Sequence, residues 1–194
     1  MWWRKKEFLL QRIKTCVDPG QSTLCVGLFF ILFLSVLLVS HLQMEMFRSS
    51  SDYMEDALAA SGLASALIDI REYGKTHVVN IPDTNAAYER YCQCLKDNLG
   101  LADNWEAGNR KLITGKVKVE NYSVFNVTGT NVEIWRMDRE TVEHSTGRLG
   151  EVRAPNGQVI QYTSIYSEIS YRVQGVFDIQ IDARKGKLVD IVGK

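Results

Sequence analysis

Metal-ligating and nucleophilic side chains are few in this chain, and their spacing builds no site. A zinc site needs about four convergent histidine or cysteine ligands, whereas His41, His77 and His144 lie far apart in the sequence. Cys92 and Cys94 are two residues apart, which turns their side chains about 200° from each other on a helix, so they cannot bond to each other. We therefore predict a small core residue at Cys92, a more exposed free thiol at Cys94, and neither metal nor cofactor.

Two other patterns resemble sites without meeting the requirements of those sites. In the segment Gly108–Lys116, GNRKLITGK, too many residues separate the glycines for a phosphate-binding loop. Asp178, Asp182 and Asp190 carry the oxygen ligands that calcium prefers. Such a pattern more commonly marks polar positions on the solvent face of a strand, which is the favoured interpretation here. Neither Gly-x-Ser-x-Gly nor His-Glu-x-x-His occurs. The sequence therefore predicts no catalytic residues and a protein that is not an enzyme.

The element that must organise the chain is an apolar segment from Pro19 to Met44. It contains no Asp, Glu, Lys or Arg over 26 residues. Its centre, Leu24–Leu42, is long enough as a helix to cross the roughly 30 Å hydrocarbon core of a membrane. A buried core helix would keep a polar face, whereas polar side chains are few here. We predict a transmembrane helix over residues 21–44 that contacts membrane lipid.

Charge on the two flanks of this segment predicts its orientation. A basic excess near one end of a transmembrane helix stays on the cytoplasmic side. The sequence therefore predicts a cytoplasmic leader over residues 1–20 and an extracytoplasmic domain over residues 45–194. The whole chain has a formal net charge of +0 at pH 7, which excludes a general electrostatic affinity for nucleic acid. The basic residues of the leader are Arg4, Lys5, Lys6, Arg12 and Lys14.

After the apolar segment the helical pattern continues, with Gly74 as the predicted stop. Small residues recur four apart in this stretch and would let another helix or a sheet approach closely. Leu63, Leu67 and Ile70 form an apolar stripe beside them. Packing on the protein's own sheet is the favoured interpretation, and contact between subunits along a fibre is the alternative. The small pairs are Ala60 and Ala64, Ser61 and Ser65, and Gly62 and Ala66.

The rest of the chain predicts one α+β domain. Thr84–Leu99 has the pattern of an amphipathic helix that stops at Gly100, and strand-like segments follow it. Phe177, Ile179 and Ile181 alternate with polar residues and should face the core. Two helices followed by consecutive hairpins favour an antiparallel sheet packed on the helices. The predicted turns lie at Thr128–Asn131, Pro155–Gly157 and Arg184–Gly186.

The start of the chain resembles a known family. Residues 1–20 are basic and end in Gly20, and Gln21-Ser22-Thr23 and the long apolar run follow. This arrangement resembles a type IV prepilin leader and the TadE-like pseudopilins of tight-adherence pili. The resemblance implies that a membrane peptidase cuts between Gly20 and Gln21. In most pilins the fifth mature residue is a glutamate that neutralises the amino group of a neighbouring subunit, whereas that position here is Cys25.

The departure at Cys25 favours a minor or tip pseudopilin, or an uncleaved relative, over an ordinary polymerising subunit. We expect a pilin-like protein that crosses the cell membrane once and acts by assembly with other pilin-like or envelope proteins. The alternative is a bitopic envelope protein that does not polymerise and whose extracytoplasmic domain binds a partner protein or a ligand.

Overall fold

The computed structural model describes residues 19–108, 113–138 and 141–191. These residues form two compact units, which divide between Glu45 and Met46. The first unit contains the apolar segment as a helix, and the second is an α+β domain. The basic residues of the predicted leader lie outside the described residues. The orientation that they predict is therefore not tested by the structure.

The first helix, α1, covers Pro19–Ser65 in one run of 47 residues. A short second helix, α2, covers Ile70–Thr76. The Asp69 side chain caps α2, because it accepts hydrogen bonds from two backbone N–H groups in the first turn. The predicted stop at Gly74 is therefore wrong, since α1 ends before Asp69 and Gly74 lies inside the new helix.

The third helix, α3, covers Thr84–Leu99, as the sequence predicts. The Asp83 side chain caps its first turn, and Gly100 ends it in the left-handed conformation with a φ of 61°. Tyr88 and Cys92 of this helix are half-buried and pack against the core. The fully buried side chains of α3 are Ala87, Tyr91, Leu95 and Leu99.

Five strands of the described residues form one antiparallel sheet with the order β3-β2-β1-β4-β5. The turn between the first two strands falls at Gly129 and Thr130, so the first predicted hairpin is confirmed. An antiparallel sheet that follows helices in the chain also confirms the predicted α+β class. The strands are β1, Ile113–Thr128; β2, Asn131–Asp138; β3, Thr141–Arg148; β4, Ser164–Gln174; and β5, Gln180–Asp190.

The second predicted hairpin, at Pro155–Gly157, is a turn without paired strands, so that prediction is wrong. One isolated bridge, between Arg153 and Val159, links its two sides. The segment leaves the sheet because Ala154 and Ile160 are buried in a small apolar cluster instead. The strand that the sequence does not predict is β3, whose residues TVEHSTGR lack the apolar alternation of a half-buried strand.

The third predicted turn, at Arg184–Gly186, is also wrong, because β5 runs straight through it. The chain turns instead at residues 175–179, around a short 3-10 helix at Val176–Asp178. Gly186 is required inside the strand, since a Cβ there would overlap the hydroxyl of Tyr166 on β4. Glycine therefore marks a close side-chain approach at this position rather than a turn.

Two apolar groups that the sequence places against the core are exposed. The first group is Phe177, Ile179 and Ile181. Two of these residues lie in the turn at residues 175–179 and one in β5, so the three do not alternate along one strand. In the second group, Leu63 lies on a different face of α1 from Met54, Leu58 and Ser61, which are buried. Leu67 and Ile70 follow the end of α1, so the three residues do not share one helical stripe. The exposed fractions are 78% for Phe177, 46% for Ile179, 42% for Ile181, 56% for Leu63, 40% for Leu67 and 76% for Ile70.

Two apolar clusters lie on opposite faces of the sheet. The larger cluster joins α1, α3 and the sheet, and contains Val124 of β1 and Ile165 of β4. The smaller cluster contains the next residues along the same two strands, Phe125 and Tyr166. Successive side chains on a strand point to opposite faces. The helices therefore cover one face, and the segment with Ile160 covers part of the other.

The close approach of α1 to β5 at Gly62 predicts that leucine has unequal effects at two small positions of α1. A Cβ at Gly62 would lie 3.3 Å from the Val189 Cγ2 atom, whereas Ala64 is exposed. We expect Gly62→Leu to destabilise the domain by about 1 to 3 kcal/mol through overpacking. Ala64→Leu is the matched control and should leave stability nearly unchanged. Urea unfolding of the full chain in detergent micelles measures both, and equal effects would contradict this packing.

Candidate functional site

The apolar part of α1 is exposed. The helix is long and apolar enough to cross a membrane, and its most apolar 18-residue window is 0% buried within the structure. Ser35 and Ser40 do not interrupt the apolar surface, because each hydroxyl donates to a carbonyl four residues earlier at 2.8 Å. This segment is a candidate membrane span.

Residues that the resemblance places at the start of a mature chain lie in the first part of α1. Gly20 and Cys25 are exposed, and Gln21 is part of the same helix. Cys25 is a free thiol with no disulfide partner among the described residues. The leader before Pro19 lies outside the described residues.

The small residues that the sequence places at a packing face divide into two pairs. Ala60 and Ala64 are exposed, whereas Ser61 and Ser65 are buried. The Ser61 Oγ atom accepts a hydrogen bond from the Asn98 side chain at 3.0 Å. The Ser65 hydroxyl donates to the Gly62 carbonyl at 2.8 Å and lies 3.2 Å from the Tyr122 hydroxyl. The serine pair therefore contributes polar contacts inside the domain.

An acidic side chain and two lysines fix α1 to β5. Glu55 carboxylate oxygens lie 2.7 Å from the Lys185 Nζ and 2.6 Å from the Lys187 Nζ. Lys185 also donates to the Ser51 hydroxyl at 3.1 Å. Hydrogen bonds from Lys185 and Lys187 lower the pKa of Glu55 to about 2. We call these four residues the helix clamp, which no sequence motif signals because Lys185 and Ser51 are 134 residues apart.

Tyrosines surround the predicted core thiol. Tyr122 contacts Tyr88 and Tyr91, with ring centroids 5.2 and 4.9 Å apart. Burial raises the pKa of the Cys92 thiol, which keeps it protonated and a poor nucleophile. Cys92 is therefore a half-buried packing residue. Cys94 is also free and half-buried.

A basic cleft opens on the face of the sheet opposite the helices, with a volume of about 500 Å³. Four cations line it: Lys116, Lys118, Arg172 and Arg184. The Arg172 Nε atom donates to Asp182 at 2.8 Å, and this hydrogen bond raises the pKa of Arg172. No other lining cation makes an ion pair with a described residue. We name this surface, with its four cations, the basic cleft.

Irregular pairing between β1 and β4 shapes this cleft. The register shifts between Thr114 and Lys118, where Gly115 has a φ of 72°. A bulge of this kind bends the strand and redirects its side chains. Asp182, one of the three aspartates considered for calcium, is bonded to Arg172 instead. No group of three or more potential metal ligands converges within residues 19–108, 113–138 and 141–191.

Comparisons with known proteins identify no relative. No protein-family model, no curated protein and no solved structure matches the chain. The described part of the chain is an α+β domain with one candidate membrane span. The fold and this helix do not identify a particular family.

The helix clamp predicts a pH-dependent stability. The pKa of Glu55 in the folded domain is about 2, below its ordinary value of 4.5, so its stabilising effect is complete above about pH 4.5 and is lost as pH falls toward 2. Glu55→Gln keeps the shape of the side chain but removes its charge, so we expect a lower Tm than wild type at pH 7. That difference should shrink below pH 4.5.

Asp56→Asn supplies the matched control, because Asp56 is exposed on the next position of α1 and makes no ion pair with a described residue. Thermal unfolding in detergent gives the Tm of the wild type, Glu55→Gln and Asp56→Asn between pH 7 and pH 2.5. This range covers most of the interval between the ordinary pKa of Glu55, 4.5, and its value in the folded domain, about 2. A Tm difference for Glu55→Gln that stays constant over this range would disprove the role of the clamp.

Proposed function

We propose that the protein crosses the membrane once and acts by assembly with other envelope proteins, in the manner of a minor TadE-like pseudopilin. The observation that carries this proposal is the apolar surface of α1, of which the most apolar window is entirely unburied. A helix is stable in hydrocarbon because its backbone hydrogen bonds are satisfied within the segment. The same surface exposed to water would drive aggregation.

The construction of the domain supports a pilin-like plan. One helix, α1, supplies the apolar segment and also the residues Met54, Leu58 and Ser61 that are buried in the domain. An antiparallel sheet covers this second part of the helix. A pilin-like subunit needs such a helix, because its apolar part packs in a fibre or a membrane while its later part carries the folded domain.

A second apolar surface supports contact with another protein. Leu63, Leu67 and Ile70 follow the apolar segment in the chain and are exposed. Ala60 and Ala64 are exposed small residues of α1, the helix that also carries Leu63. Exposed apolar groups beside small residues favour a close helix contact with another subunit. This is the alternative that the sequence leaves open for the small-residue pattern.

Cys25 determines how such a subunit assembles. If the chain is cut after Gly20, the new amino group of Gln21 lies near the membrane interface. A charge without a partner in hydrocarbon costs about 2.5 to 3.5 kcal/mol on insertion scales. Because Cys25 provides no carboxylate, copies of this subunit should pack poorly against one another. The proposal is therefore a minor subunit that depends on a partner pilin, at a tip or beside a different subunit.

The alternative function is an anchored module that never polymerises and binds a ligand or partner. The observation that favours it is the basic cleft, which gathers four cations on one face of a chain with no net charge. Such a local excess attracts anionic groups. Shearing separates the two functions, because an assembled subunit leaves the cell with surface fibres and an anchored module stays with the membrane.

The topology prediction tests the anchor. The chain should resist extraction by alkaline carbonate, and protease added to intact spheroplasts should degrade the 46–194 domain while the membrane segment survives. N-terminal sequencing of the mature protein should give Gln21 as its first residue. Protection of the domain together with loss of the leader would contradict the predicted orientation. Extraction of the chain by carbonate would contradict the membrane anchor.

The charge argument predicts a gain of assembly from one substitution. Expressed with only the peptidase and the assembly machinery, the unmodified protein should form no fibre, and Cys25→Glu should move it toward self-assembly because the carboxylate neutralises the Gln21 amino group of a neighbour. Val26→Glu is the control, since it adds the same charge one position away. Abundant fibres of the unmodified protein in electron micrographs would refute the role of Cys25.

A further inference from the structure

The turn between β4 and β5 lies at the end of the domain where the chain enters it. Four contacts fix this direction: Lys185 lies near Ser51 and Glu55, Lys187 near Glu55, and Val189 near Gly62. Residue numbers on β5 and on α1 therefore increase in the same direction. The start of β5, and the turn before it, lie toward Met46 rather than toward Ser65.

Element lengths place the turn at least level with the start of the domain. From Lys185 back to Gln180 a strand covers about 16 Å. From Ser51 back to Met46 a helix covers about 7.5 Å. Met46 follows closely on Met44, which ends the apolar segment. If α1 is anchored in a membrane as proposed, this end of the domain is the one nearest the bilayer.

The tip of this hairpin is apolar and exposed. Phe177 is 78% exposed, and Ile179 and Ile181 behind it are 46% and 42% exposed. Phe177 also has a φ of 58°, a left-handed conformation that is uncommon for a bulky residue. Neighbouring backbone supports this shape, because the Gly175 N–H donates to the Ile179 carbonyl at 2.7 Å. We name Phe177, Ile179 and Ile181 the apolar tip.

The basic cleft lies behind the apolar tip. Arg172 and Asp182 face each other across the last part of β4 and the first part of β5. Lys116 and Lys118 follow the start of β1, which pairs with the same end of β4. Asp182, bonded to Arg172, is the one carboxylate among the described residues that line the cleft, which include four cations. Glu120, which accepts from the Ser170 hydroxyl at 2.6 Å, Glu168 on β4 and Glu106, which forms a backbone bridge with Lys116, lie next to these lining residues.

We propose that the apolar tip inserts into the membrane interface and that the cations of the basic cleft contact anionic lipid headgroups. This gives the protein a second membrane contact besides α1, and it rests on the anchor proposed above. The occupant is a bilayer rather than a soluble ligand, because apolar and basic groups follow one another in the order of a membrane interface. Their position at the Met46 end of the domain agrees with that order.

The test measures where the tip lies in a bilayer. The full chain, with Cys16, Cys25, Cys92 and Cys94 replaced by alanine, is placed one copy per nanodisc, and a nitroxide is attached after Phe177→Cys. Oxygen concentrates in the bilayer and a nickel chelate stays in water, so the ratio of the two collision rates reports depth. The control is Tyr162→Cys, because Tyr162 is an exposed aromatic residue just before β4, at the opposite end of the sheet.

We expect a ratio several-fold higher for the label at position 177 than for the label at position 162. In nanodiscs with anionic lipid, adding Lys116→Gln and Lys118→Gln should lower the equilibrium constant for tip insertion by about fivefold per cation. In neutral lipid these two substitutions should change little. Both labels keep the anchor and the helix clamp unchanged.

Three results would overturn the inference. If the chain floats with the nanodisc and both labels are equally accessible to nickel, the tip lies in water although the anchor stands. If the label at position 177 is shielded from both oxygen and nickel, protein rather than lipid covers the tip. If the chain does not float with the nanodisc, the anchor fails and the tip contact fails with it.

Discussion

The apolar side chains between Leu24 and Leu42 are almost all exposed among the residues that the structure describes, and the form of α1 depends on this constraint. A segment of this length in hydrocarbon has to satisfy every backbone N–H and C=O group internally, so only an unbroken helix serves. The chain meets that condition with one helix from Pro19 to Ser65. Even Ser35 and Ser40 return their hydroxyls to the helix backbone.

Because α1 is continuous, its second part packs on the domain without a break in the helix. Met54 and Leu58 are fully buried, and burial of such side chains contributes about 1.5 to 3 kcal/mol each. Gly62 brings the helix close to Val189. The helix clamp adds charge pairs that remain partly exposed, and exposed pairs contribute little to stability. Apolar burial therefore holds α1, and the clamp sets its register on β5.

Local signals predicted some elements of the domain and not others. The helix α3 was predicted at both ends because Asp83 and Gly100 act within one turn of it. The turn after β4 is not predicted at its true position, because Gly186 has the appearance of a turn residue in the sequence. In the structure Gly186 lies inside β5, where a Cβ would overlap Tyr166. Long-range packing decided that position.

The same difference applies to the candidate sites. The apolar segment is contiguous, so composition alone predicts its exposure. The helix clamp and the basic cleft each gather residues from separate elements, and no spacing in the sequence predicts such a convergence. The alternation of apolar and polar residues predicts that Phe177 faces the core, but this holds only for a continuous strand. In the structure the chain reverses direction at Phe177.

The edges of the sheet limit how the domain meets other proteins. The free edge of β3 carries Glu143 and Arg148 among exposed polar side chains, and charges on an edge oppose pairing with another strand. The lysines of β5, the other edge strand, lie on the face of the sheet that α1 covers and contact Glu55 there. Charge therefore disfavours strand addition at the free edge of β3. The exposed residues Ala60, Leu63 and Ala64 of α1 are uncharged, with the exposed Asp56 one turn before them, so an additional helix would meet fewer charges there than an additional strand would meet on β3.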